Sequence, residues 1–371
     1  MKNFRRFLRS FFKTLTFLCL GILLSASFLP FRAAKAFPAA EESAAIRTVG
    51  RGETVEHLFT HCLIAHPEVA FAKNNEYGRH LDEDCLTPDE FRRILGFLYE
   101  GGYALADIRK TFRADGESAE RIPFSFPADK KPLVLSFDDV VYATKNLGKG
   151  MADRLVVTQT GDIAAYTRAH MPQIHGNEFV PILEDFIAKH PDFSYENARG
   201  TIFLTGFDGI LGYRTQRDSP DRTAECRRAE KVVNALKSKG WSFGCHSYAH
   251  GHMNRYTAEK MRSDVRKWKD EVEPLVGKTQ LYAYPYGEWT LGKNCDDERQ
   301  QALTEAGFRL FFGVGDKAFY TKMPLGESAK KVLFQDRCAM DGISLRSNHC
   351  ARFFDAKLVY DPSRPVSFPS Q

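Results

Sequence analysis

Between residues 87 and 314 the chain alternates short apolar runs with stretches whose apolar residues fall at helical spacing. Such alternation builds a mostly parallel sheet covered by helices, because parallel neighbours need a long crossover between them. Thr87-Pro88-Asp89-Glu90 reads as a capping box with proline at the first helical position. Phe91, Ile94, Leu95 and Leu98 then fall on one face, and Gly101-Gly102 stops the helix. The pattern predicts strands at 103–108, 133–137, 200–205, 241–244, 281–284 and 308–314. It predicts helices at 180–190, 224–239, 257–276 and 296–306, and a hairpin at 154–167. Residues 113–131 and those beyond about 316 read as less regular. An open doubly wound sheet and a closed barrel both fit this α/β pattern, and both place functional groups at the C-terminal ends of strands.

The net charge of +5 belongs to the N-terminus, since residues 1–36 hold seven Lys or Arg and no acid. The remainder is close to neutral, which excludes a broad nucleic-acid surface. Five basic residues, an apolar run from about 15 to 31 and Ala34-Lys35-Ala36 read as a signal peptide or an uncleaved signal anchor. Residues 37–54 read as a linker, and 316–371 as a C-terminal extension packed on the main domain. The body is expected outside the cytoplasm, secreted or held at the outer face of the membrane. There the expected disulfides are Cys62–Cys85, Cys338–Cys350 and Cys226–Cys295, with Cys245 a buried thiol and full reduction the alternative.

Three strand ends concentrate the chemistry. The run Leu133-Val-Leu-Ser-Phe137 ends on Asp138 and Asp139, the run at 241–245 leads into His246-Ser-Tyr-Ala-His250, and that at 281–284 into Pro285-Tyr286-Gly287. On a helical turn, two histidines four apart grip one ion, and Asp139 completes a two-histidine, one-carboxylate set. Asp138, adjacent but not ligating, is placed as a general base. The Tyr286 backbone N–H is placed to face a developing oxyanion. Tyr284, Trp289 and Tyr248 are expected to stack on a sugar ring. His252 is an alternative to His250. His61 and His66 read as a packed or surface pair outside the parallel core. His349 is a candidate general acid.

These residues resemble the polysaccharide deacetylases of carbohydrate esterase family 4, the NodB homology domain. Ser136-Phe-Asp-Asp-Val140 is similar to the family's Thr-Phe-Asp-Asp-Gly motif, His246–His250 matches His-(Ser/Thr)-x-x-His, and Ala283-Tyr-Pro-Tyr-Gly287 resembles Arg-x-Pro-Tyr-Gly. The resemblance spans roughly residues 55–315, the expected catalytic domain. It implies a distorted (β/α) barrel and metal-dependent removal of N-acetyl groups from an amino-sugar polymer of the cell envelope, peptidoglycan or exopolysaccharide, with zinc as the expected ion. By the same resemblance Asp138 is the base, Asp139, His246 and His250 are the ligands, and Tyr286 holds the oxyanion. Val140 replaces the family glycine and Ala283 the arginine that orients the base. No stretch clearly matches the Leu-x-His motif of the general acid. Those two gaps define the rivals: a catalytically inactive, metal-bound carbohydrate-binding protein of the cell surface, or a deacylase of another amide or ester.

Overall fold

The computed structural model describes residues 45–116, 118–168, 172–289, 297–316, 320–324 and 331–369. Seven strands run parallel: β1 (Glu56–Thr60), β2 (Lys131–Asp138), β3 (Thr201–Leu204), β4 (Ser242–Cys245), β5 (Leu281–Ala283), β6 (Leu310–Val314) and β7 (Lys331–Ala339). They pair in that order, and β7 returns to β1 through Cys338 opposite Leu58, so the sheet closes into a barrel. The barrel is distorted at β2. One edge of that strand takes the short strand Tyr103–Leu105 at its start and β3 at its end.

Helices α1 (Pro88–Glu100), α2 (Phe179–Lys189), α3 (Arg222–Ser238), α4 (Ala258–Glu271) and α5 (Glu298–Glu305) surround the strands. The α1 start is as expected: Thr87 Oγ1 accepts from the Glu90 N–H, and the Glu90 carboxylate accepts from the Thr87 N–H at 2.9 Å. Phe91, Ile94, Leu95 and Leu98 are fully buried. Side chains alternate across each strand with period two. Leu133, Leu135 and Phe137 therefore pack outward under the helices, while Val134, Ser136 and Asp138 occupy the barrel interior. Arg154–Val157 and Ile163–Thr167 pair as the expected hairpin, with Gln173–His175 as a third strand.

Four expectations need correction. The 316–371 region supplies β7, a full barrel strand; its inward Gln335 and Arg337 break the apolar signature that marks buried strands. Within 37–54, Ile46–Val49 pairs antiparallel with Phe124–Pro127, so that stretch joins the fold. The predicted loop at 113–131 contains that strand and the hairpin of Phe112–Asp115 with Ser118–Arg121. No disulfide forms among the described residues: Cys62, Cys85, Cys226, Cys245, Cys338 and Cys350 are thiols. Cys338 and Cys350 come close, with Sγ atoms 3.7 Å apart. Cys295 and the N-terminal apolar run lie outside the described residues. Among the described residues, no helix is long and apolar enough to cross a membrane.

Candidate metal and acid–base site

The three strand ends named above meet at the C-terminal mouth of the barrel. Asp138 is the last residue of β2 and points inward; Asp139 follows in left-handed backbone (φ 57°). That conformation turns the second carboxylate away from the first, so adjacent acids enter different environments. His246 follows β4. The segment from His246 to His250 is an irregular turn rather than helix, with Ser247 and His250 also left-handed (φ 58° and 51°). Asp264 of α4 holds it by accepting from the backbone N–H groups of Tyr248 (2.7 Å) and Ala249 (2.9 Å).

Asp139, His246 and His250 each offer a ligand atom, all within 4.8 Å of one another. His250 Nε2 lies 3.1 Å from Asp139 Oδ2, and His246 Nε2 lies 4.0 Å from Asp139 Oδ1. His246 Nδ1 is 2.8 Å from the Ala283 carbonyl, which can only accept. The ring proton is therefore on Nδ1, and the Nε2 lone pair faces the cluster. Asp139 Oδ1 is buried with no hydrogen-bond partner. A divalent ion fits these donors and would satisfy that oxygen.

Burial pushes both carboxyls up, but neighbouring charges win. His250 and His246 hold Asp139 well below the usual carboxylate range. Arg337 and then His246 hold Asp138 down. For the histidines, burial lowers His246, whereas Asp139 outweighs burial and raises His250.

Two residues at the mouth were not singled out as site residues in the sequence. Arg337, fully buried on β7, grips Asp138 through two parallel bonds of 2.8 Å, Nη1 to Oδ1 and Nη2 to Oδ2. It supplies from another strand the cation absent at Ala283. The alternation in Leu333, Gln335 and Arg337 was the available signal. His61 lies just past β1, near enough to bear electrostatically on both Asp138 and Asp139. Its Nδ1 donates to the Asp84 carbonyl at 2.8 Å, leaving Nε2 as the reactive nitrogen. The strand-end rule that selected Asp138 and His246 also selects His61.

Of the aromatics expected to stack on a sugar, Tyr284 fails on burial. Tyr284 is 1% exposed, stacks on Trp289 and donates to Gln300, so it belongs to the core. Trp289 lies between Tyr284 and Phe334 and covers Gly313. The Tyr248 hydroxyl donates to Glu271 at 2.8 Å. Tyr286, 58% exposed with left-handed backbone (φ 58°), is the open aromatic here, stacked on His252 at 4.3 Å. His252 pairs with Glu288 rather than joining the ligand set. His349 is half-exposed, bonds to Ser347 and faces Asp316 at 3.9 Å.

Residues 194–311 match the family described as polysaccharide deacetylase. Over those residues the chain is similar to a polysaccharide deacetylase domain. The matched segment includes His246, His250 and Tyr286; Asp138, Asp139 and Arg337 lie outside it. No curated protein matches the sequence. Among solved structures, the chain is similar to the Streptococcus pyogenes deacetylase PplD in complex with acetate. That match has 16% identity and a TM-score of 0.43, covering 81% of this chain and 97% of that one. It is also similar to the chitin deacetylase of the fungal pathogen Colletotrichum lindemuthianum, at 14% identity and TM-score 0.24, covering 48% and 71%. A third similarity is to a CE4 family pseudoenzyme from Bacillus anthracis, at 19% identity and TM-score 0.23, covering 35% and 36%.

Proposed function

We propose that this deacetylase domain is a metal-dependent N-deacetylase acting on an amino-sugar polymer of the cell envelope, outside the cytoplasm. The observation that carries this reading is the Arg337–Asp138 pair. A binding module needs ligands for its ion but no ionised carboxylate fixed beside them by a buried guanidinium. Zinc is the ion we assign, on the borderline-soft imidazole and carboxylate donors of His246, His250 and Asp139.

When bound, such an ion supplies Lewis-acid polarisation of the amide carbonyl. Asp138 takes a proton from the attacking water, and Arg337 keeps that carboxylate ionised and aimed. The Tyr286 backbone N–H faces the oxygen that gains charge as the carbonyl carbon becomes tetrahedral. His61 delivers a proton from Nε2 to the amine nitrogen as the carbon–nitrogen bond breaks, giving acetate and a free amino sugar. Tyr286 and His252 offer a stacked face to the pyranose ring.

Acetate release from N-acetylglucosamine oligomers, measured with and without added Zn²⁺, tests the reading. Wild type is expected to turn over, Asp138→Asn to fall by about 10²–10⁴-fold while retaining metal, and His246→Ala to lose metal. Wild type releasing no more acetate than Asp138→Asn on every glycan tried would sink it.

A further inference from the structure

Below Asp138 the barrel interior contains polar side chains that the reaction itself does not use. We infer that Ser136, His57 and Gln335 form a directional hydrogen-bond chain that positions Arg337, and through it Asp138. The bonding follows from which atoms are able to donate. Arg337 has only donors, so its Nη1, 3.2 Å from Ser136 Oγ, donates to that oxygen. The Ser136 hydrogen is then free for His57 Nε2 at 2.9 Å. At the far end, Gln335 Nε2 donates to the Val55 carbonyl at 3.1 Å, which turns Gln335 Oε1 toward His57 Nδ1 at 3.0 Å. That oxygen only accepts, so His57 carries its proton on Nδ1. Both ends demand the same polarity, and the chain runs head to tail from Arg337 through Ser136, His57 and Gln335 to Val55.

His57, Ser136, Gln335 and Arg337 have no exposed surface, and water does not compete for these bonds. His57 and Phe312 pack edge to face, with ring centroids 5.0 Å apart. Burial, aided by the Arg337 charge, pushes the His57 imidazole down to about 3, which preserves the neutral ring that the chain requires. The guanidinium is thereby fixed in rotation: Nη1 is shared between Ser136 and Asp138 Oδ1, and Nη2 goes to Oδ2. The side chains come from β1, β2 and β7, so the chain also ties the closing seam of the barrel to the carboxylate.

The kinetic consequence rests on the deacetylase reading; the hydrogen-bond chain does not. In ¹⁵N NMR of the full chain, His57 is expected as the neutral Nδ1–H tautomer throughout pH 5–9, the reverse of the tautomer favoured by free histidine. The Arg337 Nη signals are expected to stay distinct in wild type and to average in His57→Leu and in Ser136→Ala. His57→Gln, whose amide offers one donor and one acceptor, is expected to restore them. In turnover, His57→Leu should lower kcat on the order of tenfold to a hundredfold with KM held, and His57→Gln should recover most of it. An Nε2–H tautomer in wild type, or equal behaviour of the Leu and Gln variants, would overturn the inference. If wild type shows no turnover, the deacetylase reading fails and the NMR results decide the chain by themselves.

Discussion

At the N-terminal ends of its strands the barrel is filled by Val134, Leu281, Leu310 and Leu333, whereas two to four residues further along the inward positions hold Ser136, Asp138, Gln335 and Arg337. Both halves are closed to water, yet they are stabilised differently. The lower half gains from burying apolar area and tolerates relaxed geometry. The upper half contains a carboxylate that is 2% exposed, and such a group is held only if a cation and hydrogen bonds meet it. Backbone strain is also present at the mouth, although Glu196 and Asn197, ahead of β3, are left-handed as well. Asp139, Ser247, His250 and Tyr286 are left-handed non-glycine residues, and all lie at the mouth. The lower half supplies the stability against which the upper half holds a charged, strained and chemically specific arrangement.

The comparison is broken most directly at Arg337. Arg337→Leu strands the Asp138 carboxylate without a buried cation, since the His246 imidazole, Nε2 at 3.7 Å, keeps its proton on Nδ1. Urea unfolding is expected to show a loss of about 3–5 kcal/mol, and Arg337→Leu combined with Asp138→Leu to regain part of it. A single-variant loss near zero would mean that the ion pair contributes orientation without stability. Leu310→Ala acts in the lower half, where its fully buried side chain leaves a cavity. The expected loss there is about 3 kcal/mol, with metal content and kcat per folded molecule unchanged. A fall in kcat would show that the two halves are mechanically coupled.

The two halves also differ in how legible they were. Period-two alternation and the capping box exposed the strands, the helices and the apolar layer, because burial selects residue type position by position. The upper half was legible where a strand ended on unusual residues, at Asp138, Asp139, His246 and His250. It was obscured where polar side chains occupy an interior position. Gln335 and Arg337 make β7 look like surface, although Arg337 replaces the cation that Ala283 lacks. His61 was passed over because its segment was read outside the parallel core, whereas β1 closes the barrel against β7. Barrel closure brings together residues nearly three hundred apart, such as His57 and Gln335, and no local pattern reports that contact.

A subtler probe sits beside the mouth, in a buried carboxyl that has no cation. Glu178 is fully buried at the start of α2; its Oε1 accepts from the backbone N–H groups of Leu63 (2.9 Å) and Phe179 (2.8 Å). Burial outweighs those bonds and raises the group from 4.5 to about 7. Between these values the folded protein keeps a proton that the unfolded chain releases, so stability should fall as pH rises through the window. Above it both states are ionised and the loss is complete. The slope should be roughly 1 kcal/mol per pH unit, about 3 kcal/mol in all. Glu178→Gln keeps an oxygen for both N–H groups and removes the titration, so urea midpoints from pH 4.5 to 7 should flatten. An unchanged slope would place the pH dependence elsewhere. A flattened one would show that, next to an ion-paired Asp138, this region also contains a carboxyl tolerated because it stays neutral.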